Sequence, residues 1–127
     1  VGSRHSCAST LMGAVHCWGF PFGSTPVEIG SFGVAPGTAI VSVRAGSFHT
    51  CGLQANGSIW CWGENSTGQL GNGTMIASPT PVQVLNINDA VAINSQLGFS
   101  CAIVSGGVIR CWGQNSFGQL GDGTTID

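Results

Sequence analysis

Three cysteine pairs, each with the same ten-residue spacing, constrain this chain more than any other feature. The pairs are Cys7 and Cys17, Cys51 and Cys61, and Cys101 and Cys111. The second cysteine of each pair begins a Cys-Trp-Gly run, and these runs recur at intervals of roughly 45 to 50 residues. A recurring period of this length is the signature of a repeat architecture. We therefore predict that the chain consists of three related units.

The second and third units share a longer stretch, residues 51–74 and 101–124, which contains Cys-Trp-Gly and then Gly-Gln-Leu-Gly. The first unit matches only as far as Gly19. It continues with Phe-Pro-Phe-Gly-Ser-Thr-Pro over residues 20–26 and lacks Gly-Gln-Leu-Gly. We therefore predict a shorter and differently packed loop in the first unit.

Each unit is predicted to contain short strands and no helix. The predicted strands cover residues 39–43, 49–54, 58–62 and 81–85 in the second unit, and 90–93, 100–104 and 108–112 in the third. They are rich in β-branched, aromatic or small residues and are bounded by Gly, Asn, Pro and Ser. No segment shows a helical period. The predicted fold class is all-β.

The cysteine spacing also selects the turn inside each unit. A two-residue turn would place Cys51 and Cys61 on opposite faces of the hairpin. A three-residue loop that ends in Gly57, in the left-handed conformation of a bulged turn, places them directly opposite each other. Glycine stands at this third position in the other two hairpins as well, as Gly13 and Gly107.

This register brings each cysteine pair within disulfide distance. Zinc ligation and free thiols are the alternatives, but no Cys-x-x-Cys motif occurs and the spacing does not resemble a zinc knuckle. Disulfides are therefore favoured, and they indicate an extracellular or cell-surface location.

Residues 62–74 and 112–124 resemble the repeat of the regulator-of-chromosome-condensation family, in which Trp-Gly is followed by Asn-x-x-Gly-Gln-Leu-Gly-x-Gly-Thr. The cysteine pairs are similar to those of extracellular members. The resemblance implies four-stranded antiparallel blades of a seven-bladed β-propeller. This chain would supply about two and a half blades, from units at approximately 1–45, 46–95 and 96–127. Repeat arrays with uncovered ends are unstable or associate, so the expected partners are the rest of a longer chain or other copies.

Charge is scarce, at 6% of residues, with no lysine and a net charge of -2. The chain lacks the basic cluster needed to attract phosphate backbones, so we expect no nucleic-acid partner. No apolar run approaches the roughly 18 residues of a membrane span. A surface so poor in charge is expected to be covered by other blades, other copies or glycans.

The histidines are interpreted as structural. His5 and His49 each precede a cysteine by two residues, and Phe99 fills this position in the third unit. A position that accepts phenylalanine is predicted to hold a partly buried ring rather than a metal ligand. Asp122 aligns with Asn72, which argues against a calcium site. With no Gly-x-Ser-x-Gly elbow and no oriented nucleophile, we expect no catalytic residue, cofactor or metal, and no enzymatic activity.

One tryptophan per unit shares a position predicted to pack blades together: Trp18, Trp62 and Trp112. Trp60 lies two residues before Trp62 and is therefore predicted to point to the same face of the sheet. Its counterparts in the other units are His16 and Arg110. These three side chains form the candidate contact surface.

The chain contains three N-glycosylation sequons, at Asn56, Asn65 and Asn72. Asn56 is the best placed because it lies at a predicted hairpin tip. Asn65 and Asn72 also belong to the family motif, where they are expected to form turns.

These observations favour an extracellular structural or protein- or glycan-binding propeller module, in a longer chain, a surface assembly or a filament. One alternative is a secreted propeller that binds or inhibits a partner enzyme through its loop face. The resemblance also implies a small-GTPase exchange factor, which the paired cysteines disfavour because they suit neither cytosol nor nucleus.

Overall fold

The computed structural model describes residues 1–32, 35 and 37–127. In this part of the chain, ten strands form three antiparallel sheets, one for each repeat, which confirms the predicted all-β partial propeller. The first blade contains β1 (His5–Ser9), β2 (Ala14–Gly19) and β3 (Gly23–Ser31). The second contains β4 (Ile40–Ala45), β5 (His49–Gln54), β6 (Ile59–Gly63) and β7 (Ser78–Gln83). The third contains β8 (Ala90–Gln96), β9 (Phe99–Val104) and β10 (Ile109–Gly113), with a 3-10 turn at Ser105–Gly107.

Strands β4 and β8 lie in the blades that the sequence analysis predicted for residues 39–43 and 90–93. β4 pairs with β5 in the second blade. In the same way β8 pairs with β9 in the third blade. Among the described residues only the second blade has four strands, in the order β4-β5-β6-β7.

The predicted hairpin register is confirmed. Cys51 pairs with Cys61 across β5 and β6, and Gln54 donates its backbone N–H to the carbonyl of Ser58 at 2.9 Å. Gly57 has a φ of 88°, the left-handed conformation that the bulged turn requires. The structure contains the disulfides Cys7–Cys17, Cys51–Cys61 and Cys101–Cys111.

The hydrophobic core lies between the blades. Because side chains alternate along a strand, β6 contributes Ile59 to one interface and Trp62 to the other. Trp62 packs with Val15 and Ile40 between the first two blades. Ile59 belongs to a larger cluster between the second and third blades, which also includes Leu70. Each of the two core clusters is therefore formed by side chains from two neighbouring blades, and no blade buries these side chains on its own.

Candidate functional site

The disulfides lie at the blade interfaces. Cys51 and Cys61 are fully buried, and the Sγ of Cys51 is 3.6 Å from the Oγ of Ser100 in the next blade. In the first interface the Sγ of Cys7 is 3.7 Å from the Oγ1 of Thr50. The corresponding pair of the third blade is only half-buried. Each disulfide therefore joins two strands and also forms part of the surface that receives the next blade.

The two histidines of the shared position connect consecutive blades. The Nε2 of His5 is 2.7 Å from the Oγ1 of Thr50, and the Nε2 of His49 is 2.9 Å from the Oγ of Ser100. The hydroxyl of Ser100 also lies 2.9 Å from that of Ser95. The sequence predicted partly buried structural rings at these positions, but it gave no sign of their partners in the following blade.

Burial controls the protonation of both rings. Burial and, to a smaller extent, the neighbouring charge of His5 together lower the pKa of His49 to about 4. Burial and then the charged N-terminus lower the pKa of His5. A neutral ring can donate or accept at each nitrogen, which suits a hydrogen bond to a hydroxyl. The Nδ1 of His49 is buried and has no hydrogen-bond partner.

The acidic side chain of Asp122 has the same local contacts as its counterpart Asn72. The Oδ1 of each residue accepts from the hydroxyl of the threonine two residues later, at 2.9 Å in both loops. The backbone N–H of Thr124 and then its hydroxyl, which both donate to this carboxylate, lower the pKa of Asp122. In the described parts of the chain, no group of three or more His, Cys, Asp or Glu residues is arranged to hold a metal ion. The expected absence of catalysis stays a prediction.

The tryptophan of the shared position has a different environment in each blade. Trp62 is 1% exposed, whereas Trp18 is half-buried on the face of the first blade that points away from the second. The Nε1 of Trp112 donates to the carbonyl of Gln69 at 3.0 Å. The Nε1 of Trp62 is buried without a partner. The missing hydrogen bond of Trp62 coincides with the shorter loop of the first unit.

The structure distributes the candidate contact residues over three blades. Trp60 is half-buried: its Nε1 donates to the Oε1 of Gln54 at 3.0 Å, and its ring lies 6.0 Å from that of Phe32. His16 and Arg110 occupy the same strand position in the first and third blades. The three side chains therefore lie on three different blades, and their role as a contact surface stays a prediction.

The three sequons differ sharply in accessibility. Asn56 is exposed at the hairpin tip and Asn72 is half-buried. Asn65 is fully buried, and its Nδ2 donates to the carbonyls of Thr74 at 2.8 Å and Ile76 at 3.0 Å. A glycan on that nitrogen is incompatible with these contacts, so the prediction for Asn65 is corrected. The residue instead holds its loop together.

A cavity of about 310 Å³ lies between the first and second blades. Its walls are mainly apolar and include Phe20, Phe22, Phe48 and Trp62. Sequence analysis did not reveal this cavity. The first unit lacks the Gly-Gln-Leu-Gly stretch, and its Phe20 and Phe22 line the cavity beside Trp62.

The outer face of the third blade is open where the same face of the second blade is covered. Ile59 is 0% exposed, but Ile109, which takes the same place in β10, is 67% exposed. Likewise, Leu53 is 4% exposed and Ile103 is 41% exposed. The described third blade thus presents apolar side chains of the kind that its neighbour buries.

Two models of the Regulator of chromosome condensation (RCC1) repeat match the sequence, one over residues 40–69 and 97–119 and the other over residues 56–103. Together they span residues 40–119, which is more than half of the chain. The chain belongs to the RCC1 repeat family. Comparison with curated proteins yields no significant match.

Solved structures contain the same fold. Prp20p from Saccharomyces cerevisiae is 24% identical with a TM-score of 0.80 over 97% of this RCC1-repeat chain and 33% of its own. Human WBSCR16 is 21% identical with a TM-score of 0.77 over 98% and 36%. The ectodomain of the Physcomitrella patens receptor kinase CR4 is 26% identical with a TM-score of 0.63 over 98% and 31%. The chain therefore spans about a third of the length of these proteins.

Proposed function

We propose that this RCC1-repeat chain is a structural segment of an extracellular β-propeller, whose blade faces join further blades of the same kind. The outer face of the third blade is the observation that carries the proposal. Ile109 is 67% exposed there, while Ile59 at the same place in the second blade is 0% exposed. Burying an aliphatic side chain of this size contributes about 1.5–3 kcal/mol. A further blade would stabilise this face as the third blade stabilises the second.

The extracellular part of the proposal is supported by the disulfides. Each blade carries one, and disulfides persist in oxidising environments. The similarity to the ectodomain of a plant receptor kinase agrees with this environment. No helix of a length and hydropathy suited to a membrane span occurs among the residues that the structure describes.

The binding partners of Prp20p are not proposed for this chain. Prp20p binds Gsp1p and histones. Histones are strongly basic, and this chain has only five acidic residues, dispersed along the sequence. Its paired cysteines also differ from what a reducing nuclear environment favours. A structural role outside the cell is therefore the better proposal.

The proposal is tested by placing a charge on the open face. In the native protein, Ile109→Asp should lower the free energy of unfolding by at least about 3 kcal/mol, because a carboxylate would be buried beneath the next blade without a partner. Phe117→Asp is the matched control. Phe117 is 88% exposed in the loop after β10, so its substitution should change stability by less than about 0.5 kcal/mol.

Urea unfolding of the two variants gives the comparison directly. A large loss of unfolding free energy for Ile109→Asp, with little change for Phe117→Asp, supports a covered face. Equal, small effects of both substitutions would mean that the face is open to solvent in the native protein, and the proposal would be abandoned.

A further inference from the structure

Aromatic rings line the cavity between the first and second blades. Phe20 and Phe22 belong to the loop between β2 and β3. Phe48 directly precedes β5, and Trp62 lies in β6. Phe20 and Phe48 are exposed, so the walls that they form open to the surface. The volume of about 310 Å³ lies at the lower end of the roughly 300–1,000 Å³ of ligand pockets, which suits a small ligand.

Glu64 gives this cavity a negative charge. Hydrogen bonds from Ser66 lower the pKa of this half-buried carboxyl group, so it is ionised at neutral pH. Among the described residues of the lining, none is lysine or arginine. His5 also lines the cavity, but burial and then the charged N-terminus lower its pKa, which favours the neutral ring. The cavity therefore combines aromatic walls with the negative charge of Glu64.

The charge of Glu64 is not needed to hold its own loop together. The Oε1 of Glu64 accepts from the backbone N–H of Ser66 at 3.1 Å. Gln114 takes the same place in the third blade, and its Nε2 donates to the Oγ of Ser116 at 3.3 Å. Each side chain thus contacts the residue two positions later, and a neutral amide makes this contact as well as a carboxylate does. The negative charge is therefore available to a ligand.

The pocket at the corresponding place in the second interface has a different lining. Asp122 and Asp127 give it carboxylates, but among its described lining residues Trp112 is the one aromatic side chain. The combination of several aromatic rings with a carboxylate is therefore a property of the first interface.

A cation already contacts one of the rings in the lining. The Cζ of Arg4 lies 5.5 Å from the centroid of the Phe48 ring, within the roughly 6 Å reach of a cation–π interaction. Arg4 does not itself line the cavity. Aromatic rings attract cations because their faces carry negative charge density. The same attraction, strengthened by the carboxylate of Glu64, acts on a cation inside the cavity.

We propose that this cavity binds a small organic cation that carries an alkylated ammonium group. The alkyl groups pack against the phenylalanine rings, and the positive charge lies near the carboxylate of Glu64. A quaternary ammonium group has no N–H to donate, so it needs no hydrogen-bond acceptor in an apolar wall. A divalent metal ion requires several oxygen ligands, whereas the described lining offers a single carboxylate.

The test is a titration of the native protein with choline, followed by saturation-transfer NMR of the methyl protons of the ligand. Dimethylbutanol, in which a carbon atom replaces the ammonium nitrogen, is the matched control ligand. Choline should bind at least about fivefold more tightly, because the control has the same shape but lacks the charge.

A charge-neutralising variant provides a second readout. Glu64→Gln introduces the residue that the third blade has at this place, so the loop should fold as before. It should weaken choline binding about fivefold and leave dimethylbutanol binding unchanged. Glu28 is exposed in β3 and does not line the cavity, so Glu28→Gln is the matched control and should change neither affinity.

A second variant removes an aromatic ring but keeps an apolar wall. Phe20→Leu should weaken choline binding about threefold, while Phe117→Leu, in the exposed loop after β10, should leave it unchanged. Absence of saturable choline binding, equal affinities for choline and dimethylbutanol, or no effect of Glu64→Gln or Phe20→Leu would overturn the inference. The covered blade face is tested separately with Ile109→Asp, whose result does not depend on any of these outcomes.

Discussion

The buried His49 makes the stability of the blade stack depend on pH. Its ring is 1% exposed, and burial lowers its pKa from 6.5 to about 4 in the folded protein. In the unfolded chain the ring takes up a proton below about pH 6.5. Since the unfolded state then binds more protons than the folded state, stability present above pH 6.5 is lost as the pH falls towards 4.

The size of this effect follows from the two pKa values. Each pKa unit corresponds to about 1.4 kcal/mol, so the full loss reaches about 3 kcal/mol once the pH is below 4. Between pH 7 and pH 5 the expected loss is about 2 kcal/mol. A change of that size is a large fraction of the stability of an ordinary domain.

The variant His49→Phe isolates this contribution. Phenylalanine already occupies the corresponding position as Phe99 in the third blade, and Ser100 retains its contact with Ser95 at 2.9 Å. Urea unfolding at pH 7, 6 and 5 should show that the variant loses about 2 kcal/mol less than the parent over this range. The other titratable groups are the same in both proteins, so their contributions largely cancel in the difference.

Ser95→Ala is the matched control for the hydrogen-bond network. It removes a hydroxyl that contacts Ser100 but leaves His49 in place, so it should lower stability by about 1 kcal/mol equally at each pH. If His49→Phe and the parent lose the same free energy between pH 7 and pH 5, the ring is not the group that titrates and the reasoning fails.

Two further perturbations test the packing of the blades. Gly46→Ala should lower the free energy of unfolding by at least about 2 kcal/mol, because its Cβ would lie 2.3 Å from the Cε1 of His49. Gly30→Ala is the control and should be nearly neutral, because its Cβ would have no neighbour nearer than 3.7 Å. Similar urea midpoints for the two variants would refute the predicted clash. Replacing Cys51 and Cys61 together by alanine should cost about 3 kcal/mol and lower Tm by several degrees. An unchanged Tm would show that this crosslink contributes no stability.

The hairpin geometry could be predicted from the sequence because it depends on local spacing. Ten residues between the cysteines and a glycine at the third loop position fix one register, and Gly57 adopts the required positive φ. Trp60 was expected on the same face as Trp62, and Phe32 packs against both rings. Features that depend on the alternation of side chains along a strand or on turn residues could therefore be predicted from the sequence.

Contacts between blades could not be predicted in the same way. The partner of His5 is Thr50, far along the chain, and no local pattern indicates that the two side chains meet. The sequon at Asn65 looks the same in the sequence whether its amide is exposed or, as here, bound inside its loop. The buried Nε1 of Trp62 has no hydrogen-bond partner whereas that of Trp112 donates to Gln69, and only the assembled interfaces reveal this difference.

Disulfide mapping of the native protein tests the extracellular propeller most directly. The protein would be alkylated without reductant, digested, and analysed by mass spectrometry before and after reduction. The account predicts no alkylated cysteine before reduction and three linked peptide pairs, Cys7–Cys17, Cys51–Cys61 and Cys101–Cys111. Six alkylated thiols in the unreduced protein would contradict it and would place the chain in a reducing compartment.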